Sequence, residues 1–231
     1  NFRQWAIEDE FCAGRPDWDK AGATFSDDVH SYESMKIRLL IGGHQLLAKV
    51  AEIRSVTYIS EAMAHPSIAG FFGKVARHEI APHVEAVPGM TAEAYDDLIQ
   101  RRFANPEIVD TVRRVAVDGS SRHTGCILPT LRDALAAGTS IVGLALAQAY
   151  WARMCEGTRE DGSEIEANDP FWGSLTKAAK AARARPQAWL EQAHIYGDLA
   201  QNEVFASAFD RWLSLIWAEG AEAALRAYLE D

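Results

Sequence analysis

From Tyr32 to the end of the chain, apolar residues return at three- and four-residue steps, a spacing that admits little except packed helices. In the first run, from Tyr32 to about Arg54, the stripe is Met35, Leu39, Leu40, Leu46, Leu47, Val50 and Ile53. Comparable runs cover 59–64, 67–78, 91–103, 106–117, 128–137, 139–155, 170–184 and 186–194, and two more fill 202–230. Proline and glycine mark the joints. Pro106 in "ANPEIVDT" is expected at the first position of a helix, where its missing N–H costs nothing. Gly138 in "LAAGTS" is expected to stop one helix, with Thr139 or Ser140 capping the next. Only the opening differs: "NFRQWAIEDEF" alternates Phe2, Trp5 and Ile7 as a strand does, and "AGRPDWDKAGATFSDDV" reads as loop. The expectation is a mainly α, multi-helix domain over 31–231, preceded over 1–30 by a short strand and loop. A chain opening in this way on Asn1 is expected to continue something larger.

Charge and cysteine content narrow the function classes. A formal net charge of −10 opposes broad attraction to nucleic acid or to anionic membrane surfaces. The longest apolar stretch, around Ile141 to Tyr150, is far short of the ~20 residues of a membrane span. Cys12, Cys126 and Cys155 lie far apart, which suits reduced thiols and a cytoplasmic setting better than a disulfide framework. There is no glycine-rich phosphate loop after a strand, no nucleophile elbow, and no histidine or cysteine spacing that would hold a metal.

Two stretches carry chemistry. In "MKIRLLIGGH", Lys36 and His44 are eight residues apart. An ideal helix turns through about 800° over that interval and rises about 12 Å, which puts the two on neighbouring parts of one face. A lysine in a partly apolar cleft loses hydration and so favours its neutral, basic form, while a nearby imidazole can hold a hydroxyl or carbonyl oxygen. Glu33, one turn before Lys36, is placed to pair with it or relay its proton. The plainer reading is a solvated Lys36, a packed His44, and glycines that let helices approach closely; on spacing alone it is the commoner one. The second stretch, 101–130, gathers Arg101, Arg102, Arg113, Arg114 and Arg122, with "DGSSR" expected as a turn between helices. Arginines beside such a turn suit a polyhydroxylated or carboxylated small molecule. Surface arginines facing acidic neighbours are the commoner case.

Together, "FRQWAIEDEFCAGRPDWDKAGATFSDDV", "YESMKIRLLIGGH", "VPGMTAEAYDDLIQRRFANPEIVDT", "RRVAVDGSSRHTGCILPT" and "EANDP" resemble, in order, the long-chain mannitol dehydrogenase family of polyol and hexuronate oxidoreductases. The resemblance implies the helical C-terminal substrate domain of an enzyme interconverting a polyol or aldonate (mannitol, arabinitol or mannonate type) with its 2-keto sugar. Residues 1–30 would be the tail of a missing N-terminal Rossmann domain, which would be the chain's own partner and would bind most of NAD or NADP. No metal would be needed, and the fragment alone would not turn over. The family's helix motif is similar to K-x4-N-x2-H. By it Lys36 would be the base and His44 would orient the substrate, with Glu33 relaying the proton and Arg114 binding substrate oxygens. Arg122 stands where relatives usually have lysine, and Ile41 stands where they have an oxyanion-supporting asparagine. Isoleucine has no donor to offer. The alternative is therefore a non-catalytic helical module, binding a sugar or a partner, that kept the family's scaffold.

Overall fold

The computed structural model describes residues 4–231. Phe2 of the strand-like opening lies outside these residues. The mainly helical architecture expected from the periodicity is what is observed. Strands β1 (Ala6–Glu8) and β2 (Thr24–Ser26) form one parallel pair, with Ala6 opposite Thr24 and Glu8 opposite Ser26. Fourteen α-helical segments follow among the described residues. They are α1 (Val29–Met35), α2 (Gly42–Ile53), α3 (Ile59–Ala64), α4 (Pro66–Val75), α5 (Ala92–Phe103), α6 (Val112–Val115), α7 (Gly119–Arg122), α8 (Leu128–Ala137), α9 (Val142–Cys155), α10 (Trp172–Ala182), α11 (Gln187–Leu190), α12 (Ala193–Tyr196), α13 (Glu203–Glu219) and α14 (Ala221–Glu230). No helix among them is long and apolar enough to cross a membrane.

The core is built around two helices buried on nearly every side. In α9 every residue from Gly143 to Cys155 is buried, so this helix has no polar face to give to water. It lies against α2 and α13, with α14 and α4 closing the same layer. Trp151, Trp189, Trp212, Tyr150 and Tyr196 fill the space between them. Each large apolar side chain removed from water here contributes about 1.5–3 kcal/mol, which offsets the cost of ordering the chain. The second central helix, α2, has twelve residues and buries all but one of them; the exception is His44.

Three departures from the expected boundaries have physical causes. Helix α1 runs into α2 without a break, but residues Lys36–Ile41 between them are π-helical, with Gly42 N donating to Ile37 O. The uniform turn per residue assumed for the first run therefore fails between Lys36 and His44. Next, α9 starts at Val142 and neither Thr139 nor Ser140 is its cap residue. The carboxylate of Glu79, from the neighbouring π-helical turn Ala76–Ile80, accepts from Gly143 N at 2.8 Å and Leu144 N at 2.9 Å. A buried acid from a distant helix thus supplies both the acceptors and the negative charge that a helix N-terminus favours. Finally, Pro106 opens a turn and no helix forms before Val112. The segment before α6 is drawn out by Ile59 N to Asp110 O at 3.0 Å and Val112 N to Thr57 O at 2.9 Å, an antiparallel bridge of Tyr58 with Thr111. Thr111 then caps α6 through Arg114 N at 3.2 Å. Gly138 does stop α8, at φ 67°. "DGSSR" is tighter than a plain turn: Asp118 takes the left-handed conformation (φ 56°) and α7 begins at once.

Candidate active site

Helix α2 and the π-helical stretch before it present Lys36, Leu40 and His44 along one edge of the bundle. Lys36 is exposed and lines a hollow of about 520 Å³ with Leu40, Tyr95 and Arg102. His44 lines an adjoining hollow of about 220 Å³ with Leu40, Phe103, Ile108, Asp110 and Arg114. Leu40 and Arg102 belong to both, so the two hollows meet at these side chains. Lys36 and His44 thus line separate, adjoining hollows, and the π-helical turn sets the angle between them. The shielding expected around Lys36 is not supplied by the described residues.

The position of His44 follows from the glycine beside it. A Cβ on Gly43 would stand 2.8 Å from a ring carbon of Phe72, so only glycine lets that ring lie against α2. Phe72 packs on Phe103 with ring centroids 5.6 Å apart, and Phe103 stacks under the His44 imidazole at 4.4 Å. The aromatic floor fixes the ring plane without using either ring nitrogen. Burial pushes the His44 imidazole down to about 4; Asp110 opposes this, and the positive charges of Arg114, Arg122 and Arg102 reinforce it. His44 is therefore neutral at neutral pH, with one nitrogen to donate and one to accept.

That depression has a sign that can be checked. Between about 4 and its ordinary value of 6.5, the unfolded chain binds a proton at His44 and the folded chain does not, so stability rises with pH across this window and falls on acidification. Denaturant titrations at pH 4.5 and pH 7 should show the parent losing about 1–2 kcal/mol more on acidification than a His44→Gln variant does. Equal losses would show that the ring titrates normally.

The arginines divide into two groups. Arg114 is bound through both ends of its guanidinium to Asp110, with Nε to Oδ1 at 2.6 Å and Nη2 to Oδ2 at 2.5 Å. This pairing is the first cause of the lowered Asp110 carboxyl. Arg122 is half-buried and forms no side-chain hydrogen bond or ion pair among the described residues, yet its charge reaches both His44 and Lys49. Arg113, which the sequence grouped with them, is turned away: its Nη2 donates to Glu166 O at 2.7 Å and Ala167 O at 3.2 Å. Glu33 lines a hollow with Lys36, and its carboxylate lies 3.8 Å from His30 Nδ1. Ile41 is half-buried in the π-helical stretch between Lys36 and His44. Asp110 and Phe103 were missed by sequence reasoning. Their only signal was position in the stretch already chosen, since neither forms a motif with His44.

Comparison with known proteins then gives the arrangement a context. Residues 28–217 match the family described as mannitol dehydrogenase C-terminal domain. The mannitol 2-dehydrogenase of Cereibacter sphaeroides is 49% identical over 228 residues, covering 99% of this chain and 48% of that protein. The D-arabinitol 4-dehydrogenase of Ralstonia nicotianae is 36% identical over 220 residues, 82% of this chain and 47% of that protein. Among solved structures, the Pseudomonas fluorescens mannitol 2-dehydrogenase ternary complex with NAD and D-mannitol superposes with a TM-score of 0.93 at 30% identity, covering 100% of this chain and 47% of that one. The chain spans about half the length of the curated relatives it matches.

Proposed function

The chain belongs to the mannitol dehydrogenase family, whose C-terminal domain it matches, and we propose from that premise that it forms the substrate half of an NAD(P)-dependent, metal-independent oxidoreductase interconverting a polyol with its 2-keto sugar. The observation that carries the reading is the pair of adjoining hollows sharing Leu40 and Arg102, lined between them by an exposed amine, a neutral imidazole and the guanidinium groups of Arg102 and Arg114.

The described residues hold no dinucleotide-phosphate cradle: β1 and β2 are followed by no glycine-rich turn leading into a helix. The cofactor, which would accept the hydride, is therefore assigned mainly to a preceding Rossmann domain. The parallel pair β1–β2, beside which Trp5 and Trp18 stack on each other at 5.4 Å and are both exposed, is where such a domain would continue. Two strands alone are marginal, which is consistent with a larger sheet.

Within this chain the residues bind substrate and move one proton. Lys36 takes the hydroxyl proton of the carbon being oxidised. His44 donates to or accepts from a neighbouring hydroxyl. Arg114, shared with Asp110, and Arg122 bind further oxygens, and Glu33 passes the proton from the Lys36 amine to solvent. The remainder of the protein and the bound substrate would supply the shielding that makes the amine a base. Arg122 offers a planar fork where relatives usually have a point charge, which favours an oxygen pair such as an aldonate carboxylate. A panel of mannitol, arabinitol and mannonate, assayed with the full-length protein for NADH or NADPH formation, tests the reading. Turnover of at least one with no added metal and undiminished by chelator is the expected result, and absence of turnover with all three would overturn it.

A further inference from the structure

Helix α2 carries a second set of functional groups that the reaction does not use. Gln45, Lys49 and Glu52 are four and three residues apart, hence on one helix face, and each is at most 3% exposed. A buried polar stripe of this kind costs stability unless every member is occupied. All three reach toward the same short segment. Gln45 Nε2 donates to Val115 O at 2.9 Å, and Lys49 Nζ donates to Ala116 O at 2.7 Å. Glu52 Oε1 lies 4.0 Å from Arg113 Nη1 and 2.6 Å from Arg159 Nη2.

The same segment is held from its other side. Asn168 Nδ2 donates to Ala116 O at 3.3 Å and Asp118 N to Asn168 O at 2.8 Å, while Asp169 accepts from Ser120 N at 2.7 Å and Ser120 Oγ at 2.9 Å. A Cβ on Gly119 would lie 3.1 Å from Lys49 Nζ, so the backbone and the ammonium are in close contact. Arg114 lies inside this gripped segment and Arg122 follows it directly. Lys49 therefore joins the helix that bears His44 to the turn between α6, which carries Arg114, and α7, which ends on Arg122.

Stability does not explain the lysine. Its ammonium is fully buried with one protein acceptor, and an apolar side chain of equal length would ordinarily be as stable there. We propose that Lys49, with Gln45 beside it, is a positioning residue for substrate recognition, fixing Arg114 and Arg122 relative to His44 by holding the carbonyl end of α6. This deepens the polyol-oxidoreductase reading and rests on it.

A double-mutant cycle in the full-length protein with its dinucleotide provides the test. Lys49→Met should raise KM for the preferred polyol about tenfold, with a smaller change in kcat, unchanged KM for the dinucleotide and a thermal midpoint close to the parent's. In an Arg114→Ala background the same substitution should change the polyol KM less than twofold, because the group it positions is gone. An equal rise in both backgrounds, or no rise in either, overturns the proposal while leaving the polyol reading intact. If Lys49→Met fails to fold, Gln45→Met run through the same cycle decides by the same criteria. A parent that turns over no polyol removes both the proposal and the reading beneath it.

Discussion

Replacing Lys36 with alanine in the full-length protein should lower kcat for polyol oxidation by about 10²- to 10⁴-fold, the usual contribution of a positioned general base. The other groups of the joined hollow are poor substitutes. His44 is held down to about 4 and is a weak base, the Asp110 carboxylate is occupied by Arg114, and the arginines stay protonated. Since Lys36 is exposed and makes no hydrogen bond or ion pair among the described residues, its removal should leave folding within about 0.5 kcal/mol of the parent. Steady-state kinetics with and without an added small primary amine separate the possibilities. Partial recovery of kcat by the amine supports a proton-transfer role. A change confined to KM would make Lys36 a binding group, and unchanged kinetics would remove it from the mechanism.

A second large effect is expected in the opposite direction. Ile41→Asn should raise kcat by about 10²- to 10³-fold, the value of one hydrogen-bond donor aimed at a developing alkoxide. The position lies between Lys36 and His44 in the π-helical stretch and is half-buried, so the substitution would cost only about 1 kcal/mol of apolar burial. The same variant discriminates the two function classes. A gain identifies an oxidoreductase whose oxyanion support is weak. No turnover in either form, together with retained polyol binding measured calorimetrically, identifies a sugar-binding module on the same scaffold.

Helices and their partners were legible to different degrees for a physical reason. Period and punctuation are local, so the apolar runs and the stop at Gly138 could be read directly from the chain. What could not be read depends on groups far away in sequence. The start of α9 is fixed by Glu79, more than 60 residues earlier, at 2.8 Å from Gly143 N. The failure of 106–111 to become helix depends on the Tyr58–Thr111 bridge. The stripe of Gln45, Lys49 and Glu52 was visible as spacing, but three polar residues on one helix face ordinarily mean water, and only their burial shows that they face backbone carbonyls. The hydrogen-bonding register of Lys36–Ile41 left no mark in the residues that adopt it.

That register has a consequence for how the cleft can change over evolution or by design. A π-helical turn amounts to one residue more than an α-helix would accommodate over the same length. Deleting one residue between Lys36 and Ile41 would let the rod relax to ordinary winding with the segments on either side near their present relative angle, whereas the same deletion from plain α-helix would swing everything upstream by about 100° about its axis. His44, anchored on its aromatic floor, would keep its place, and the amine, then seven residues away on a plain α-helix, would stay on the same face. The extra residue thus works as slack between two halves of one helix, and this turn is where the rod can lose a residue and keep the two side chains facing the same way.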